Sequence, residues 1–367
     1  MKYPVFDPEI SAEDISNVVD ALSKGEISGN YGSYLEGFEK EFAKYCGVSH
    51  GIAVTSGTTA LHLAVAALDL EPGDEILISS STNIATALAV IHNNLTPVPI
   101  DSESESWNLD LKLIEESITP KTRAIIPVHL FGRPIQMDQL MEIANKHNLV
   151  VIEDCAESHG ATVNGKMTGS FGQMGCFSFY ANKIITTGEG GMIVTDDENL
   201  AKKLRKLRNL GFGQPRFVHE IAAYNFRMTG YQAALGLSQT MRIEQIVSKK
   251  IEIAQIYSAA LQSNQYLALP SSPSWARHVH WMYAIYLNES SPFSRDELLK
   301  YLGTFEIETR TFFCPMNLQP VLKNKFEMKS CPIAEDIWDR GFYLPSSTKL
   351  TKSDIDFITT KINEFLL

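Results

Sequence analysis

Short apolar runs alternate with amphipathic segments from residue 50 to about residue 200. Seven runs read as buried strands that end in small or polar residues: GIAVTSG, DEILISS, TPVPID, TRAIIPVH, LVVIEDC, GCFSFY and GMIVTD. Segments with helical periodicity, such as TTALHLAVAALDL and QMDQLMEIANKHN, separate several of them. Buried strands joined by helices predict a mostly parallel sheet that is covered on both faces. Ligands of such folds bind beyond the carboxyl ends of the strands.

The pattern changes after the seventh strand. ENLAKKLRKLRNLG predicts an exposed basic helix that stops at Gly211, and a long helical stretch follows from residue 229. From near residue 250, strand-like HWMYAIYLN, helical SRDELLKYLG and the later SDIDFITTKINEFLL are typical of a smaller α/β domain. We therefore predict two domains: a large one over residues 1–245, which includes the N-terminal segment, and a small one over residues 246–367.

Composition narrows the class of function. The net charge of −11 argues against nucleic acid or an anionic membrane as the main partner, because either would require a basic face. The N-terminus, MKYPVFDPEISAEDISN, lacks the basic start and apolar run of a signal peptide. No stretch approaches the roughly 18 to 20 uninterrupted apolar residues of a membrane span. Five cysteines without CxxC spacing suggest neither a zinc site nor a disulfide framework. We expect a cytoplasmic protein without a metal site.

The first candidate for chemistry is SGTTALHL, in which Ser56, Gly57, Thr58 and Thr59 lead from a strand into a helix. Small residues there allow backbone N–H groups to approach an anion, and the helix N-terminus adds roughly half a positive charge. Ser and Thr also open many helices simply as N-caps. Taken alone, the segment favours the cap over a phosphate site.

The second candidate is VVIEDCAESHG, where Glu153 and Asp154 follow an apolar strand. A carboxylate at that strand end can keep a heterocyclic nitrogen protonated by charge pairing. An isolated acidic pair more often caps a turn, so this motif is weak by itself.

The third candidate is FSFYANKIITTGEGG, which places Lys183 between a strand and a glycine-rich turn. An amine in a partly apolar site loses proton affinity and becomes a nucleophile and base near neutral pH. Most lysines are exposed, so position alone does not identify such a residue. An anion cradle, a carboxylate and a strand-end lysine on one parallel sheet together meet the needs of pyridoxal 5'-phosphate.

The chain resembles a known family over nearly its full length. The resemblance is carried by YLEGFEKEFAKYCGV, TSGTTALHLAVAAL, PGDEILI, PVHLFG, VVIEDCAESHGA, FSFYANKIITTGEGGM, YNFRMTGYQAALGL and RGFYLPSS. It is similar to the sugar-nucleotide aminotransferases of the DegT/DnrJ/EryC1/StrS family, and most closely to the GDP-perosamine synthases within it. The resemblance implies the PLP-dependent aminotransferase fold type I, an α/β fold with helices on both faces of a mostly parallel central sheet and a smaller C-terminal α/β domain.

The resemblance also implies roles for individual residues. Lys183 would carry the cofactor and move protons, and Asp154 would pair with the ring nitrogen. Asn225 matches an asparagine that reaches the phosphate from the neighbouring subunit, which implies a homodimer with shared active sites. The further implied cofactor contacts lie near the phosphate or the ring: Gly57, Thr58, Thr59, Ala156, Glu157 and Ser178.

Two positions depart from the family pattern. Asn83 stands in SSTNIAT where an aromatic residue usually stacks on the cofactor ring, so either another side chain covers that face or the cofactor is held more loosely. Asn317 stands in TRTFFCPMNLQP where relatives commonly have a histidine. Among other candidate substrate contacts, we expect His159 at the pocket edge. Arg310 either contacts the sugar or forms a surface salt bridge with Glu308. His129 is a strand-end polar group that is as readily structural.

The implied function is transamination at C4 of a nucleotide-linked 4-keto-6-deoxy sugar, with L-glutamate as amino donor. It would resemble GDP-perosamine synthesis and feed amino-sugar glycans such as the O-antigen of lipopolysaccharide. A related branch has histidine in place of the lysine and dehydrates at C3, so Lys183 favours transamination. Two alternatives remain: an aminotransferase for UDP- or dTDP-linked 4-keto or 3-keto sugars, and a non-catalytic PLP-binding regulatory protein.

Overall fold

The protein is described here by a computed structural model that covers residues 1–366. The helices are α1 (Ala12–Ser23), α2 (Ser33–Cys46), α3 (Gly57–Ala66), α4 (Ala85–Ile91), α5 (Ile114–Ser117), α6 (Met137–Lys146), α7 (Glu198–Arg208), α8 (Gly230–Met241), α9 (Ile243–Leu261), α10 (Arg295–Gly303), α11 (Pro320–Lys323), α12 (Pro332–Arg340) and α13 (Lys352–Leu366). Short 3-10 turns lie at Leu111–Leu113, Leu130–Gly132 and Met316–Leu318.

The strands are β1 (His50–Val54), β2 (Glu75–Ser79), β3 (Thr96–Ile100), β4 (Thr122–Ile126), β5 (Val150–Asp154), β6 (Thr162–Val163), β7 (Lys166–Met167), β8 (Met174–Ser178), β9 (Gly191–Thr195), β10 (Leu267–Ala268), β11 (Ala276–Arg277), β12 (Tyr283–Leu287), β13 (Arg310–Thr311) and β14 (Gly341–Leu344).

The large sheet has seven strands in the order β1-β9-β8-β5-β4-β2-β3. Strands β2, β3, β4, β5 and β8 pair in parallel, whereas β9 runs antiparallel to both β1 and β8. The predicted α/β fold and its mostly parallel sheet are thus confirmed, and each of the seven apolar runs forms one strand. The carboxyl ends of β1, β2, β4, β5 and β8 meet at one edge, where the ligand site of such a sheet is expected.

Apolar side chains on alternate sides of each strand explain why the sheet is covered on both faces. In β2, Ile76 and Ile78 pack into the apolar cluster that also contains residues of α3 and α4. Leu77 points the other way and packs with Met137 and Leu140 of α6. The sheet is therefore the middle layer of a helix–sheet–helix sandwich, and its strand ends are held in fixed positions by packing.

The long helical stretch predicted from residue 229 is two helices, α8 and α9, with Arg242 between them. Arg242 has φ −118° and ψ 13°, so the regular helix is interrupted there. Its guanidinium donates to Asp14 Oδ2 and to the carbonyl of Glu9, both at 2.8 Å. The break therefore lets one side chain anchor the N-terminal segment, a long-range contact that helical periodicity does not reveal.

A smaller antiparallel sheet, in the order β10-β12-β14-β13, packs with α9, α10 and α13 around its own apolar core. Tyr3 from the N-terminal segment belongs to that core. The predicted boundary between residues 245 and 246 falls inside α9 and stays a prediction. Loops and strands of this part bring Trp281, Phe313 and Tyr343 to the carboxyl edge of the large sheet.

Candidate active site

A cavity of about 360 Å³ lies at the carboxyl edge of the large sheet. Residues at or just after the ends of β1, β5 and β8 line it, together with aromatic residues from the strands and loops around the smaller sheet. The sequence-predicted residues that line it are Gly57, Thr58, Asn83, Asp154, Ala156, Glu157, Ser178 and Lys183.

Lys183 sits in the turn after β8, where its N–H donates to the carbonyl of Tyr180 at 2.9 Å. Only 11% of its side chain is exposed. The amine Nζ lies 3.8 Å from Glu157 Oε1 and 3.8 Å from the centroid of the Trp281 ring. A lysine head group is thus enclosed by a carboxylate on one side and an aromatic face on another.

Burial governs the protonation of this pair. Loss of water lowers the pKa of Lys183, and the nearby carboxylates of Glu157 and Asp154 partly oppose that fall. Burial likewise raises the pKa of Glu157, against the pull of the Lys183 charge. The two pKa values therefore move toward each other, which makes Lys183 a better nucleophile and base near neutral pH than an exposed lysine.

Asp154 closes β5 and is almost fully buried. Its Oδ2 accepts a hydrogen bond from Thr86 Oγ1 at 2.8 Å, and its Oδ1 accepts one from the Ala156 N–H at 3.1 Å. Burial raises the pKa of Asp154, while these two donors and Lys183 act in the opposite direction. A carboxylate held in this way is oriented in advance to pair with a protonated ring nitrogen.

The turn from β1 into α3 forms a helix N-cap and also borders the cavity. Ser56 Oγ accepts from the Thr59 N–H at 3.1 Å, and Thr59 Oγ1 accepts from the Ser56 N–H at 3.0 Å, so these two residues form a capping box. Of these two residues, Ser56 lines the cavity and Thr59 does not. Gly57 and Thr58 do, at the first two positions of α3, where backbone N–H groups have no helical acceptor.

Gly57 is required by close packing rather than by an unusual backbone angle. A Cβ atom added there would lie 2.6 Å from Ser178 Cβ and 3.1 Å from Ser178 Oγ. The absent side chain thus lets β8 approach the start of α3, so that a hydroxyl and helix N–H groups border one end of the cavity. This end suits a phosphate, and the buried amine and Asp154 suit a pyridine aldehyde. The residues present therefore fit pyridoxal phosphate.

Asn83 has a structural task of its own. Its Oδ1 accepts a hydrogen bond from the N–H of Ala85 at 3.0 Å at the start of α4, while the residue itself is exposed at the cavity.

Three aromatic residues from the part of the chain around the smaller sheet line the same cavity: Trp281, Phe313 and Tyr343. Sequence reasoning missed these three aromatic residues because apolar residues in or beside strands are typical of core. The strand-like segment HWMYAIYLN and the pair of phenylalanines in TFFC are the signals that could have identified two of them.

His159 does not line the cavity. It is fully buried, with its ring centroid 5.3 Å from that of Phe177 and 5.6 Å from that of Phe179. Burial lowers the pKa of His159 to about 3, so the imidazole is neutral. The structure therefore does not place His159 at the expected pocket edge, because Phe42 of α2 and Phe177 and Phe179 at the end of β8 enclose its ring.

The other two candidate substrate contacts also lie away from the lining. The side chain of Arg310 is 56% exposed and pairs with Glu308, although its strand position faces Tyr343 across the small sheet. Asn317 is buried and donates from Nδ2 to Glu335 Oε1 at 2.7 Å. Within this chain, Arg310 forms the surface salt bridge with Glu308 that was the alternative to a sugar contact. Asn317 connects the Met316–Leu318 turn to α12.

Asn225 is exposed and does not line the cavity of its own chain. The carbonyl of the next residue, Phe226, accepts from the Thr55 N–H at 3.1 Å. The segment that carries Asn225 is therefore fixed beside the β1–α3 turn, with the Asn225 side chain open to solvent in the single chain.

Glu153, unlike Asp154, points away from the cavity. It accepts from the N–H groups of Gly169, Phe171 and Gly172 at 2.7 to 2.8 Å, and it contacts His129 Nε2 at 3.2 Å. The Ile135 N–H donates to His129 Nδ1 at 3.2 Å, so the ring proton lies on Nε2.

The ligand atoms of His129, Glu153 and Cys155 are close enough to one another to suggest a metal site. Their hydrogen bonds instead make His129 and Glu153 a structural pair.

Comparison with known proteins gives a consistent result. The family model described as the DegT/DnrJ/EryC1/StrS aminotransferase family matches residues 8–363. A GDP-perosamine synthase of Caulobacter vibrioides is 41% identical over 99% of this chain and 98% of its own length. A UDP-N-acetyl-3-dehydro-alpha-D-glucosamine 3-aminotransferase of Acidithiobacillus ferrooxidans is 38% identical over 93% of this chain and 90% of its own. The crystal structure of S. venezuelae DesV is 34% identical, covers 99% of this chain and 98% of its own, and superposes with a TM-score of 0.93.

Substitution of Gly57 by alanine tests the cradle. The added methyl group would force Ser178 and the start of α3 apart, so Gly57→Ala should bind pyridoxal phosphate about 10-fold more weakly or worse. Absorbance titration of the cofactor-free protein measures this affinity. Gly303→Ala is the matched control, since no atom lies within 4 Å of a Cβ built at this helical glycine. Wild-type affinity in Gly57→Ala would contradict the assignment of the cradle.

Proposed function

The chain belongs to the DegT/DnrJ/EryC1/StrS aminotransferase family and is a PLP-dependent sugar-nucleotide aminotransferase, and we propose that it moves the amino group of L-glutamate to C4 of a GDP-linked 4-keto-6-deoxy sugar. The observation that carries this proposal is the enclosed amine of Lys183, which shares one cavity with Asp154 and the Gly57 cradle. The reaction converts glutamate to 2-oxoglutarate as the keto group becomes an amine, so nitrogen and electrons balance between the two substrates.

Three groups of residues would hold the cofactor. Gly57, Thr58 and Ser178 would bind the phosphate, Asp154 would pair with the ring nitrogen, and Lys183 would form the covalent link. When bound, pyridoxal phosphate supplies an aldehyde that joins to amines and a pyridinium ring that withdraws electrons from the adjacent carbon. The hydrogen bonds from Thr86 and Ala156 keep the Asp154 carboxylate oriented for that pairing.

Lys183 has a second task as the proton carrier. Its Nζ takes up the proton released from the α-carbon of the amino donor and later delivers one at C4 of the sugar. Glu157, 3.8 Å from that amine, raises the pKa of Lys183 and so favours the protonated form of the amine. The aromatic wall of Trp281, Phe313 and Tyr343 limits the access of water to the amine.

The GDP-linked sugar is proposed because a relative named as a GDP-perosamine synthase is 41% identical to this chain over nearly all of both proteins. The product would then supply amino-sugar glycans such as the O-antigen of lipopolysaccharide. The relative named for amination at C3 of a UDP-linked sugar is 38% identical, and it supports the alternative of a UDP- or dTDP-linked substrate.

We also propose a homodimer with shared active sites. Ile15, Val19 and Leu22 form an exposed apolar stripe on α1, with exposures of 58%, 55% and 49%. Exposed Ile27 and Tyr31 follow it along the chain. Contiguous apolar surface of this kind marks a protein interface. Thr58 and Asn225 are both exposed in the single chain, so a second copy could complete the phosphate end of the cavity with its own Asn225.

A cytoplasmic location is proposed as well. All five cysteines are unpaired, which fits a reducing compartment. Among residues 1–366, no helix has the length and the apolar composition that crossing a bilayer requires.

The choice of substrate is tested by turnover. The loaded enzyme and L-glutamate should convert GDP-4-keto-6-deoxymannose with a kcat/KM about 10-fold or more above those for UDP- and dTDP-linked 4-keto sugars and a UDP-linked 3-keto sugar. Formation of amino sugar equimolar with 2-oxoglutarate is the readout, and Lys183→Ala is the inactive control. A higher kcat/KM with a UDP- or dTDP-linked sugar would favour the alternative. No turnover of any keto sugar would contradict the proposed reaction.

Shared sites are tested by mixing two inactive variants. Lys183→Ala and Asn225→Ala chains should each be inactive or weak alone. After dissociation and random reassociation, half of the dimers should be hybrids with one intact site, giving about a quarter of wild-type activity. A mixture of Lys183→Ala with the double variant Lys183→Ala/Asn225→Ala should not recover. Activity no greater than the mean of the two parents would show that each site is built from one chain.

A further inference from the structure

Trp281 makes two separate contacts with the segment that carries Lys183. Its indole Nε1–H donates to the carbonyl of Asn182 at 2.7 Å. The same peptide unit carries the N–H of Lys183. This N–H donates to the carbonyl of Tyr180 at 2.9 Å. Both sides of this peptide plane are thus held, so the direction in which the Lys183 side chain leaves the backbone is fixed.

The second contact involves the ring of Trp281. The Nζ atom of Lys183 lies 3.8 Å from the ring centroid, well inside the about 6 Å within which an aromatic face attracts a cation. Tryptophan has the strongest such face among the aromatic side chains, and the attraction is largest where water is excluded. Trp281 itself is buried, with 2% exposure.

Backbone hydrogen bonds connect the ring to the other neighbour of the amine. The Trp281 N–H donates to the carbonyl of Phe131 at 3.0 Å, and the Phe131 N–H donates to Glu157 Oε2 at 2.7 Å. Glu157 in turn lies beside Lys183. The Glu157 carboxyl group, the Leu130–Gly132 turn, Trp281 and Lys183 therefore form a closed circuit in which the amine lies 3.8 Å from a carboxyl oxygen and 3.8 Å from the centroid of a ring.

We propose that Trp281 is a positioning residue for Lys183, whose indole N–H fixes the preceding peptide and whose ring face holds the protonated amine beside Glu157 whenever the amine is free of cofactor. The inference concerns the proton-carrying step of the proposed function and rests on it. The amine must alternate between a covalent link and a free cation during transfer of nitrogen, and the ring gives the free cation a defined position without neutralising it.

If Trp281 served only to pack the core, its replacement would have the same effects as replacement of another buried tryptophan. Trp107 belongs to the same apolar cluster as Trp281 and contacts the Phe312 ring edge-on at 5.2 Å, yet it has no contact with Lys183. It is therefore the matched control for the loss of a buried indole. The ionisable groups that face the Lys183 amine or line its cavities, and that any titration must take into account, are Asp7, Glu9, Asp154, Glu157, His159, Tyr180, Glu189, Lys250 and Tyr343.

The test uses the full chain without cofactor, so it is independent of catalytic activity. Tryptophan is replaced throughout by its mono-, di- and trifluoro analogues, which keep shape and N–H but progressively weaken the negative face of the ring. The pKa of Lys183 is measured from the pH dependence of its acylation by a trace reagent, with the Lys183 peptide quantified by mass spectrometry. We expect a graded fall of about one pH unit across the series.

Control variants distinguish the effect of the Trp281 ring on the pKa of Lys183 from effects of the other tryptophans. In Trp281→Phe the same fluorination should leave the pKa of Lys183 unchanged, because the other tryptophans do not touch the amine. Trp281→Leu should lower this pKa, whereas Trp107→Leu should lower only the thermal unfolding temperature. If Trp281→Leu does not fold, the isosteric fluorinated series still decides. A pKa that is constant across the series, or that falls equally in the Trp281→Phe background, would overturn the proposal even if the enzyme transaminates as proposed.

Discussion

Removal of the Lys183 amine from water carries a desolvation penalty, and the surrounding groups offset only part of it. Glu157 at 3.8 Å is too far for a tight hydrogen-bonded pair, and the Trp281 ring attracts the cation without accepting its proton. The pKa of the amine is therefore lowered while its charged form keeps some stabilising contacts, as a nucleophile that must also carry protons requires. A second buried lysine lacks these neighbours. Lys250 is also buried and its pKa is lowered to about 7, but it donates to the Ser346 carbonyl and has no carboxylate among its pKa-shifting neighbours.

The two sheets contribute different parts of that balance. The large sheet fixes polar groups at its carboxyl edge through packing and short-range hydrogen bonds, as in the Asp154–Thr86 contact and the Ser56–Thr59 capping box. The smaller sheet and its adjoining loops provide aromatic surface through Trp281, Phe313 and Tyr343. A site that needs charge and exclusion of water together is thus built where the two parts meet. The hydrogen bonds from the N–H groups of Val279 and Trp281 to the Leu130–Gly132 turn join the two parts directly.

Features that are local in sequence were predicted well. Apolar runs identified the seven strands of the large sheet, and Gly57, Asp154 and Lys183 do converge at one edge because parallel strands present their carboxyl ends together. Features set by contacts between distant residues were not predictable in this way. His159 is enclosed by Phe177 and Phe179 at the end of β8 and by Phe42 of the distant helix α2, and Arg242 at the helix break contacts the N-terminal segment. The capping role of Thr59 was open from the sequence, and the structure resolves it.

The most direct measurement of the central claim is reduction of the cofactor-loaded protein with borohydride, followed by peptide mass spectrometry. If the enclosed amine of Lys183 links covalently to the pyridoxal aldehyde, the long-wavelength absorbance should vanish on reduction and the phosphopyridoxyl mass should be found on Lys183. Recovery of an unmodified Lys183 peptide, or a label on Lys250 or another lysine instead, would contradict the account.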